Sequence, residues 1–249
     1  MKFFSGELGH NYSTLTFGYC NYGVLEPGDK LSEMYERGYL PYSGSPESKG
    51  IFYMARSGRI SLPNFDLNSE CRRVAKKFDG QFTRQTTALP DFSITEEFVA
   101  FWLDYFARAH GPTVMPRERL MHILNFGIVT HVGTYKDAGG KVAGYTLEVA
   151  DEVMAHDWYQ SYAAELDKTS FGVWLLIDIA REAKVRGAGY YYPGTIYSEN
   201  AYKTNLSAFE FWNGEKWVQD EKQLGKRLQT DGERQIAIVD EWKENHPLF

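Results

Sequence analysis

The segment that begins at Ser170 restricts the possible folds more than any other part of this sequence. An apolar run predicts a helix over residues 170–186, aromatic residues predict a strand over 190–192, and an Asn-Gly turn predicts a hairpin over 208–217. A helix between two strands must bury its apolar face against a sheet. The segment therefore predicts an α+β fold in which helices flank a mixed sheet.

The sequence before this segment supplies more strands. Two are predicted over residues 128–135 and 141–150, joined by a five-residue loop, and a third over residues 156–164. A long helix precedes them, because Ser93 and Glu96 form a capping box ahead of apolar residues at helical spacing. The order of elements is strands, helix, strand and closing hairpin.

The N-terminal part is expected to form a separate small α+β unit. The turn signal Leu89-Pro90-Asp91 predicts a boundary between a domain of residues 1–88 and a second domain of residues 89–249. The elements predicted for the first domain are a short helix capped by Asp29, a strand over residues 51–54 and a helix capped by Asn68 or Ser69. One or two polar helices are predicted after Gln219.

Composition excludes several classes of protein. The 249 residues are 43% hydrophobic and 24% charged, which is typical of a folded domain rather than a disordered one. No run of about 18 apolar residues occurs, and the N-terminus lacks the apolar stretch of a signal peptide. A cytoplasmic location without a membrane partner is therefore expected.

The cysteines and histidines predict no metal site. The two cysteines, Cys20 and Cys71, fit a reducing compartment, although a single disulfide stays open. Two thiols cannot form a four-cysteine zinc or iron–sulfur site, and the six histidines show no paired ligand spacing.

The turn before the long C-terminal helix resembles the phosphate-binding turn of GNAT acyltransferases. In that family the signature Arg/Gln-x-x-Gly-x-Gly/Ala exposes backbone N–H groups at a helix N-terminus, which bind the pyrophosphate of coenzyme A. Here Asp167 replaces the first residue, Ser170 replaces the first glycine, and Gly172 is kept. Because a carboxylate beside two phosphates is unfavourable, coenzyme A is disfavoured and no resident cofactor is expected. The simpler alternative is that Ser170 only caps the helix and Gly172 only packs.

The same segment resembles more closely the C-terminal domain of the aminoacyl-tRNA–protein transferases, the arginyl and leucyl transferases of the N-degron pathway. That family has Ser-Leu-Gly, a helix, Tyr-x-Tyr-Leu-Gly-Tyr, and then a loop with Tyr-Lys, an acidic residue and a Trp. The matching residues here are Ser170-Phe171-Gly172, Tyr190-Tyr191-Tyr192-Pro193-Gly194, Tyr202-Lys203, Glu210 and Trp217, and Val149-Ala150-Asp151 is similar to a family strand that ends in aspartate.

The N-terminal half is similar to the same family, with departures. The similar motifs are Tyr19-Cys20-Asn21-Tyr22, the run from Gly38 to Gly44, and the run from Asn64 to Val74, which follows the family's Phe-x-x-Ser-x-x-x-Arg-Arg-Val. The family's cysteine cluster is missing from residues 54–59, and Leu40-Pro41 stands where the family has two arginines. The chain therefore resembles a divergent member whose acceptor can differ.

Charge is distributed unevenly along the chain. The net charge is −6, yet residues 49–84 carry eight basic and three acidic side chains, a net +5 that leaves −11 for the remainder. Within that segment the residues Arg72, Arg73, Lys76 and Lys77 lie at helical spacing. This basic face predicts a tRNA-binding surface, and the alternative is an ordinary solvated helix face.

The resemblance implies transfer of an amino acid from aminoacyl-tRNA, the co-substrate, to an amine of a protein N-terminus or a small molecule. Asp151, Glu148 or Glu210 is expected to deprotonate or orient the amine, and N–H groups near Ser170 and Gly172 to stabilise the oxyanion. The further substrate-binding residues expected are Tyr192, Tyr202 and Lys203. Two other functions stay open, namely a coenzyme A-dependent N-acyltransferase and a catalytically silent GNAT-fold binding module.

Overall fold

The structure, a computed structural model, describes residues 1–11, 16–43, 50–196 and 198–229. The strands are β1 Lys2–Asn11, β2 Thr16–Val24, β3 Tyr39–Pro41, β4 Ile51–Met54, β5 Ser57–Ser61, β6 Phe82–Ala88, β7 His131–Asp137, β8 Val142–Ala150, β9 Met154–Tyr162, β10 Tyr190–Thr195, β11 Phe209–Trp212 and β12 Trp217–Val218. The helices are α1 Leu31–Glu36, α2 Ser69–Phe78, α3 Glu96–His110, α4 Arg117–Leu124, α5 Phe171–Val185 and α6, residues 221–229. Gly44, Lys49, the side chain of Cys20 and the tail from residue 230 lie outside the described part.

The described strands form two sheets. The small sheet has the order β1-β2-β4-β3, and the large one has the order β12-β11-β5-β10-β9-β8-β7-β6. Neighbouring strands of the large sheet are antiparallel except β9 and β10, which are parallel and are connected through α5. The predicted α+β fold, a mixed sheet flanked by helices with a small N-terminal α+β unit, is confirmed.

Helices cover both faces of the large sheet. On one face α5 and α2 pack together over a cluster that includes Tyr135 of β7. On the other face α3 and α4 pack over a cluster that includes Val132 of the same strand. Because side chains alternate along a strand, residues 132 and 135 point to opposite faces. The site described below lies in the sheet between these two layers.

The pairing between β9 and β10 covers only the first three residues of each strand. The last paired residues are His156 and Tyr192, and beyond them the two strands separate. Pro193 follows in β10 and has no N–H group to continue the ladder. Each strand also carries a bulge here, since the register shifts between β8 and β9 near Asp157 and between β5 and β10 near Pro193. Bulges of this kind redirect side chains and open sheets locally.

The predicted domain boundary at residues 88/89 does not coincide with the division between the sheets. The strand β5 pairs with β10 and β11 in the middle of the large sheet, β6 forms its edge, and α2 packs on α5. Among the described elements, only β1–β4 with α1 form a separate layer. That layer contacts the large sheet through a shared cluster, in which Tyr35 of α1 packs on Tyr192 of β10.

Most predicted C-terminal elements are present with shifted ends. The N-cap of α3 is Thr95 rather than Ser93, since the Thr95 hydroxyl accepts the N–H of Phe98. The predicted cap Asn68 begins α2 by accepting the N–H of Cys71, whose thiol is free and buried. The strands β1, β2, β3, β5 and β6 and the helix α4 were not predicted.

No helix in the described ranges combines the length and apolar character needed to cross a membrane. Across the same residues, no group of three or more histidine, cysteine, aspartate or glutamate side chains could hold a metal ion.

Candidate functional site

Two cavities open where β9 and β10 separate. The first, called here the α5 cavity, has a volume of about 670 Å³ and is lined by the N-terminal turn of α5 and the C-terminal part of α3. The second, the β3 cavity, has a volume of about 260 Å³ and is lined by β3, Arg119 of α4 and the end of β10. The residues that line both cavities are Asp157, Trp158, Tyr159, Pro193 and Lys203. Two approaches therefore lead to one common floor.

Asp157 is the acidic group of this floor. Its side chain is buried, and its Oδ1 atom has no hydrogen-bond partner among the described residues. Burial raises the pKa of Asp157 to about 7, and the nearby charge of Glu148 raises it further, whereas Lys203 and Arg84 act in the opposite direction. A carboxylate with a pKa near neutrality can accept and return a proton at physiological pH.

Lys203 is the basic group of the floor. It lies in the 3₁₀ segment Ser198–Asn205, and its Nζ atom donates a hydrogen bond to the carbonyl oxygen of Thr195 at 3.3 Å. Burial lowers the pKa of Lys203 to about 8, while Asp157 acts to raise it. Within the described ranges no carboxylate lies within 4.0 Å of Nζ, so the ammonium is not neutralised by a direct ion pair.

His156 borders the β3 cavity beside these two groups. Its Nδ1 atom lies 2.8 Å from the hydroxyl of Tyr35, which is fully buried. Burial lowers the pKa of His156 to about 3, and the charge of Lys203 contributes in the same direction. The imidazole is therefore neutral at physiological pH.

The first turn of α5 lines the α5 cavity through Ser170 and Gly172. Ser170 has a left-handed backbone, with φ +72°, and its side chain makes no capping hydrogen bond. The side chain of Ser170 therefore does not cap α5. The N–H groups of residues 171–173 have no acceptor among the described residues, and unpaired N–H groups at a helix N-terminus are a common feature of anion sites. The carboxylate of Asp167, which precedes this turn, forms an ion pair with Arg108 of α3.

The other residues expected to bind substrate divide into two groups. Tyr202 lines the α5 cavity beside Lys203 and is 40% exposed, and partial burial together with the nearby Asp157 raises the pKa of its hydroxyl. Tyr192 lines neither cavity, because its ring packs against Tyr35 and Trp217.

The three acidic residues predicted to act on the amine lie outside both cavities. Glu148 is buried in an ion pair with Arg84, at 2.7 Å, and lies opposite Asp157 across the β8–β9 pair. Asp151 accepts the N–H groups of Val153 and Met154 and holds the β8–β9 turn. Glu210 forms an ion pair with Arg59. The structure thus gives each a structural partner, and their predicted catalytic roles stay predictions.

The basic helix α2 runs beside the N-terminus of α5. Lys77 donates a hydrogen bond to the carbonyl oxygen of Thr169 at 2.9 Å. Arg73 pairs with Glu70 within the helix, Arg72 donates to the carbonyl of Leu67, and both arginines are exposed, as is Lys76. The basic segment as a whole is not one surface, because Arg84 and Arg59 are nearly buried. The exposed positive charge is that of α2, next to the α5 cavity.

Sequence reasoning missed Asp157, His156 and Arg119. The signal for the first two was present, because a charged residue and a histidine stand side by side in the strand Met154–Tyr162 among aromatic residues. Charged groups are rarely buried in a strand without a partner or a function.

Comparison with known proteins gives weak similarity only. No protein-family model and no curated protein matches the sequence. Among solved structures, L-PGS from Bacillus licheniformis is 13% identical over 66% of this chain and 51% of its own, with TM-score 0.44. The C-terminal domain of a candidate lysylphosphatidylglycerol synthetase from Agrobacterium fabrum is 16% identical over 70% and 54%, with TM-score 0.45. A tandem GNAT protein from the clavulanic acid biosynthesis pathway is 13% identical over 80% and 61%, with TM-score 0.41.

This chain spans about half of the length of the first two. Scores this low carry no argument about its activity.

Proposed function

We propose that this protein transfers an aminoacyl group from aminoacyl-tRNA to an amine. The observation that carries the proposal is the common floor of the two cavities, where the buried Asp157 and the half-buried Lys203 line both cavities. A transfer between two substrates needs two approaches to one reaction centre. It also needs a base for the amine and a positive charge for the developing oxyanion.

In the proposed reaction Asp157 transfers the proton and Lys203 stabilises the negative oxygen. The neutral amine attacks the ester carbonyl, and a C–N bond forms while Asp157 takes the proton that the amine loses. The tetrahedral intermediate carries a negative oxygen, which the Lys203 ammonium stabilises. When the intermediate collapses, the bond from the carbonyl carbon to the ribose oxygen breaks, and Asp157 returns the proton to that oxygen. The products are an amide and uncharged tRNA, and Asp157 returns to its ionised form.

The α5 cavity suits the donor. It has the larger volume, ends at the free N–H groups of α5, and carries the exposed Lys168 on its rim. The positive face of α2 lies beside it, so a phosphate backbone leaving the cavity would meet Arg72 and Lys76. Backbone neutralisation of this kind supplies most of the affinity for nucleic acids.

The β3 cavity suits the acceptor. Its volume of about 260 Å³ fits a small molecule or a single terminal residue, and its lining includes the aromatic Tyr42, Tyr53 and Trp158. Arg119 adds a positive charge, and its guanidinium donates to the carbonyl oxygens of Ser43 and Val114 without a carboxylate partner in the described ranges. Either acceptor class, a protein N-terminus or a small amine, is compatible with this size.

Transfer assays with charged tRNA test the proposal. Bulk tRNA charged separately with each radiolabelled amino acid is incubated with the protein, using hydroxylamine as a general small acceptor and a cell lysate as a source of natural amines. Accelerated transfer from at least one aminoacyl-tRNA is expected. Saturable binding and consumption of acetyl-CoA instead would favour the coenzyme A-dependent alternative. No transfer with any donor, together with tight binding of a protein partner, would favour the silent binding module.

Salt dependence tests the tRNA surface separately. The double variant Arg72→Glu/Lys76→Glu should weaken tRNA binding and reduce the slope of log affinity against log salt by about 0.7–0.9 per lost phosphate contact. The matched control is Lys216→Glu in the β11–β12 loop, which lies outside both cavities. Equal slopes for the two variants would contradict the role of α2.

A further inference from the structure

We infer that His156 is a catalytic hydrogen-bond donor, whose Nε2–H group binds the carbonyl oxygen of the ester under attack. The inference rests on the proposed transfer reaction and adds a residue to it. It is carried by three observations: the partner of Nδ1, the space beside Nε2, and the position of Lys203 on the other side of that space.

The hydroxyl of Tyr35 fixes the tautomer of His156. Tyr35 is 0% exposed, and the only hydrogen-bond partner of its hydroxyl in the described ranges is the Nδ1 atom of His156, at 2.8 Å. A buried hydroxyl that accepted a hydrogen bond here would leave its own proton without an acceptor, which is costly. Tyr35 therefore donates to Nδ1, and the proton of the neutral ring resides on Nε2.

Gly194 leaves a space next to Nε2. Its φ is +94°, a conformation that glycine adopts at little cost, and it lines the β3 cavity. A Cβ atom built at Gly194 would lie 3.5 Å from the Nε2 atom of His156 and 3.5 Å from the Nζ atom of Lys203. The two nitrogens thus flank the volume that a side chain would occupy. A carbonyl oxygen entering it from the cavity floor would meet one neutral and one charged donor.

The charges around His156 favour a donor over a base. The groups that face it are Tyr35 from the small sheet, Lys203 from the 3₁₀ segment and Asp157, its neighbour in β9. Burial and the positive Lys203 both oppose protonation of the ring, and its Nδ1 lone pair is already occupied. Asp157 remains the proton acceptor, while His156 and Lys203 bind the developing negative oxygen. A fixed, uncharged donor of this kind acts most strongly in the transition state.

Kinetics of three variants separate this role from a packing role. His156→Leu removes the donor and should lower kcat by roughly 100-fold or more with little change in KM, as when one oxyanion-hole donor is lost. His156→Gln can place an amide N–H near the Nε2 position and should recover much of the loss. Tyr35→Phe removes the hydrogen bond to Nδ1, so that the His156 ring can adopt either tautomer. It should lower kcat by about fivefold, the effect of one neutral hydrogen bond. The apparent pKa near 7 in the rate profile should be unchanged in Tyr35→Phe, because Asp157 is intact.

A spectroscopic measurement tests the tautomer without any activity. The nitrogen-15 shifts of the His156 ring distinguish a protonated nitrogen from a bare one. We expect the Nε2–H form from pH 5 to pH 9 in the wild-type protein and a mixture of tautomers in Tyr35→Phe. An Nδ1–H ring, or protonation of the ring in this range, would overturn the inference.

The outcomes distinguish the inference from the function on which it rests. If the wild-type protein transfers aminoacyl groups and folded His156→Leu keeps its rate, the transfer function stands and the role of His156 is wrong. If His156→Gln is as slow as His156→Leu although both melt at the wild-type temperature, the donor role is also wrong. If the wild-type protein transfers nothing from any charged tRNA, both proposals fail.

Discussion

Replacing Asp157 by Asn should remove activity and at the same time change how stability depends on pH. Burial raises the pKa of Asp157 from 3.8 to about 7, so the native state holds its proton between these values while the unfolded state has lost it. The native state binds more protons in this range, and stability therefore falls as pH rises. Asn cannot ionise, so the variant lacks this contribution.

The magnitude follows from the two pKa values. Each pH unit inside the window costs about 1.36 kcal/mol, and from pH 5 to pH 7 the loss is about 2 kcal/mol, because Asp157 is half ionised at the upper end. Asp157→Asn should thus gain about 2 kcal/mol relative to wild type over this range. In the wild-type protein Lys203 does not titrate in this window, because its lowered pKa of about 8 lies above it.

Urea unfolding at pH 5, 6 and 7 measures the effect. The control is Glu96→Gln, since the exposed Glu96 pairs with Arg117, which lowers its pKa below the window, and its variant should parallel wild type. In transfer assays Asp157→Asn should lose about 10²–10⁴-fold in rate, the usual contribution of a general base. Stability curves for wild type and Asp157→Asn that run parallel from pH 5 to pH 7 would refute the buried, near-neutral carboxylate.

Three further changes test the scaffold. Arg84→Met leaves the buried Glu148 without its counter-ion and should cost about 3–5 kcal/mol in urea unfolding, with part of the loss recovered in Arg84→Met/Glu148→Gln. Gly38→Ala should cost about 2–3 kcal/mol, because φ is +80° and the new Cβ atom would lie 2.4 Å from the ring of Trp212; an unchanged melting temperature would show that the loop adapts. Asn68→Ala should cost about 1 kcal/mol through the lost cap of α2, and Asn68→Asp should restore the cap but not the hydrogen bond that the Asn68 amide donates to the carbonyl oxygen of Asn205.

The C-terminal elements were predictable because their signals are local. The apolar run of α5, the aromatic strand β10 and the Asn-Gly turn before β12 each specify one element from neighbouring residues. The assignment of β5 to the middle of the large sheet was not predictable. Its partners β10 and β11 lie more than 100 residues away, and no local pattern of Ser57–Ser61 records them.

In the candidate site, too, residues with a local sequence signal were predicted and residues that depend on distant contacts were missed. Lys203 was expected from a Tyr-Lys motif, and it does lie on the floor of both cavities. Asp157 was missed because its importance comes from the separation of β9 and β10, which depends on bulges and on Pro193 rather than on the residues beside it. Tyr35 was missed because it reaches His156 from a different sheet, 121 residues away in sequence.

The two openings onto one floor have a kinetic consequence. A donor held in the α5 cavity would not block the β3 cavity, so both substrates can bind at once and in either order, and initial-rate lines should intersect. In the proposed reaction, the same arrangement would expose the ester whenever the β3 cavity held only solvent. Water would then compete with the amine for the same carbonyl. The yield of amide over hydrolysis would therefore depend on how completely the acceptor fills the smaller cavity.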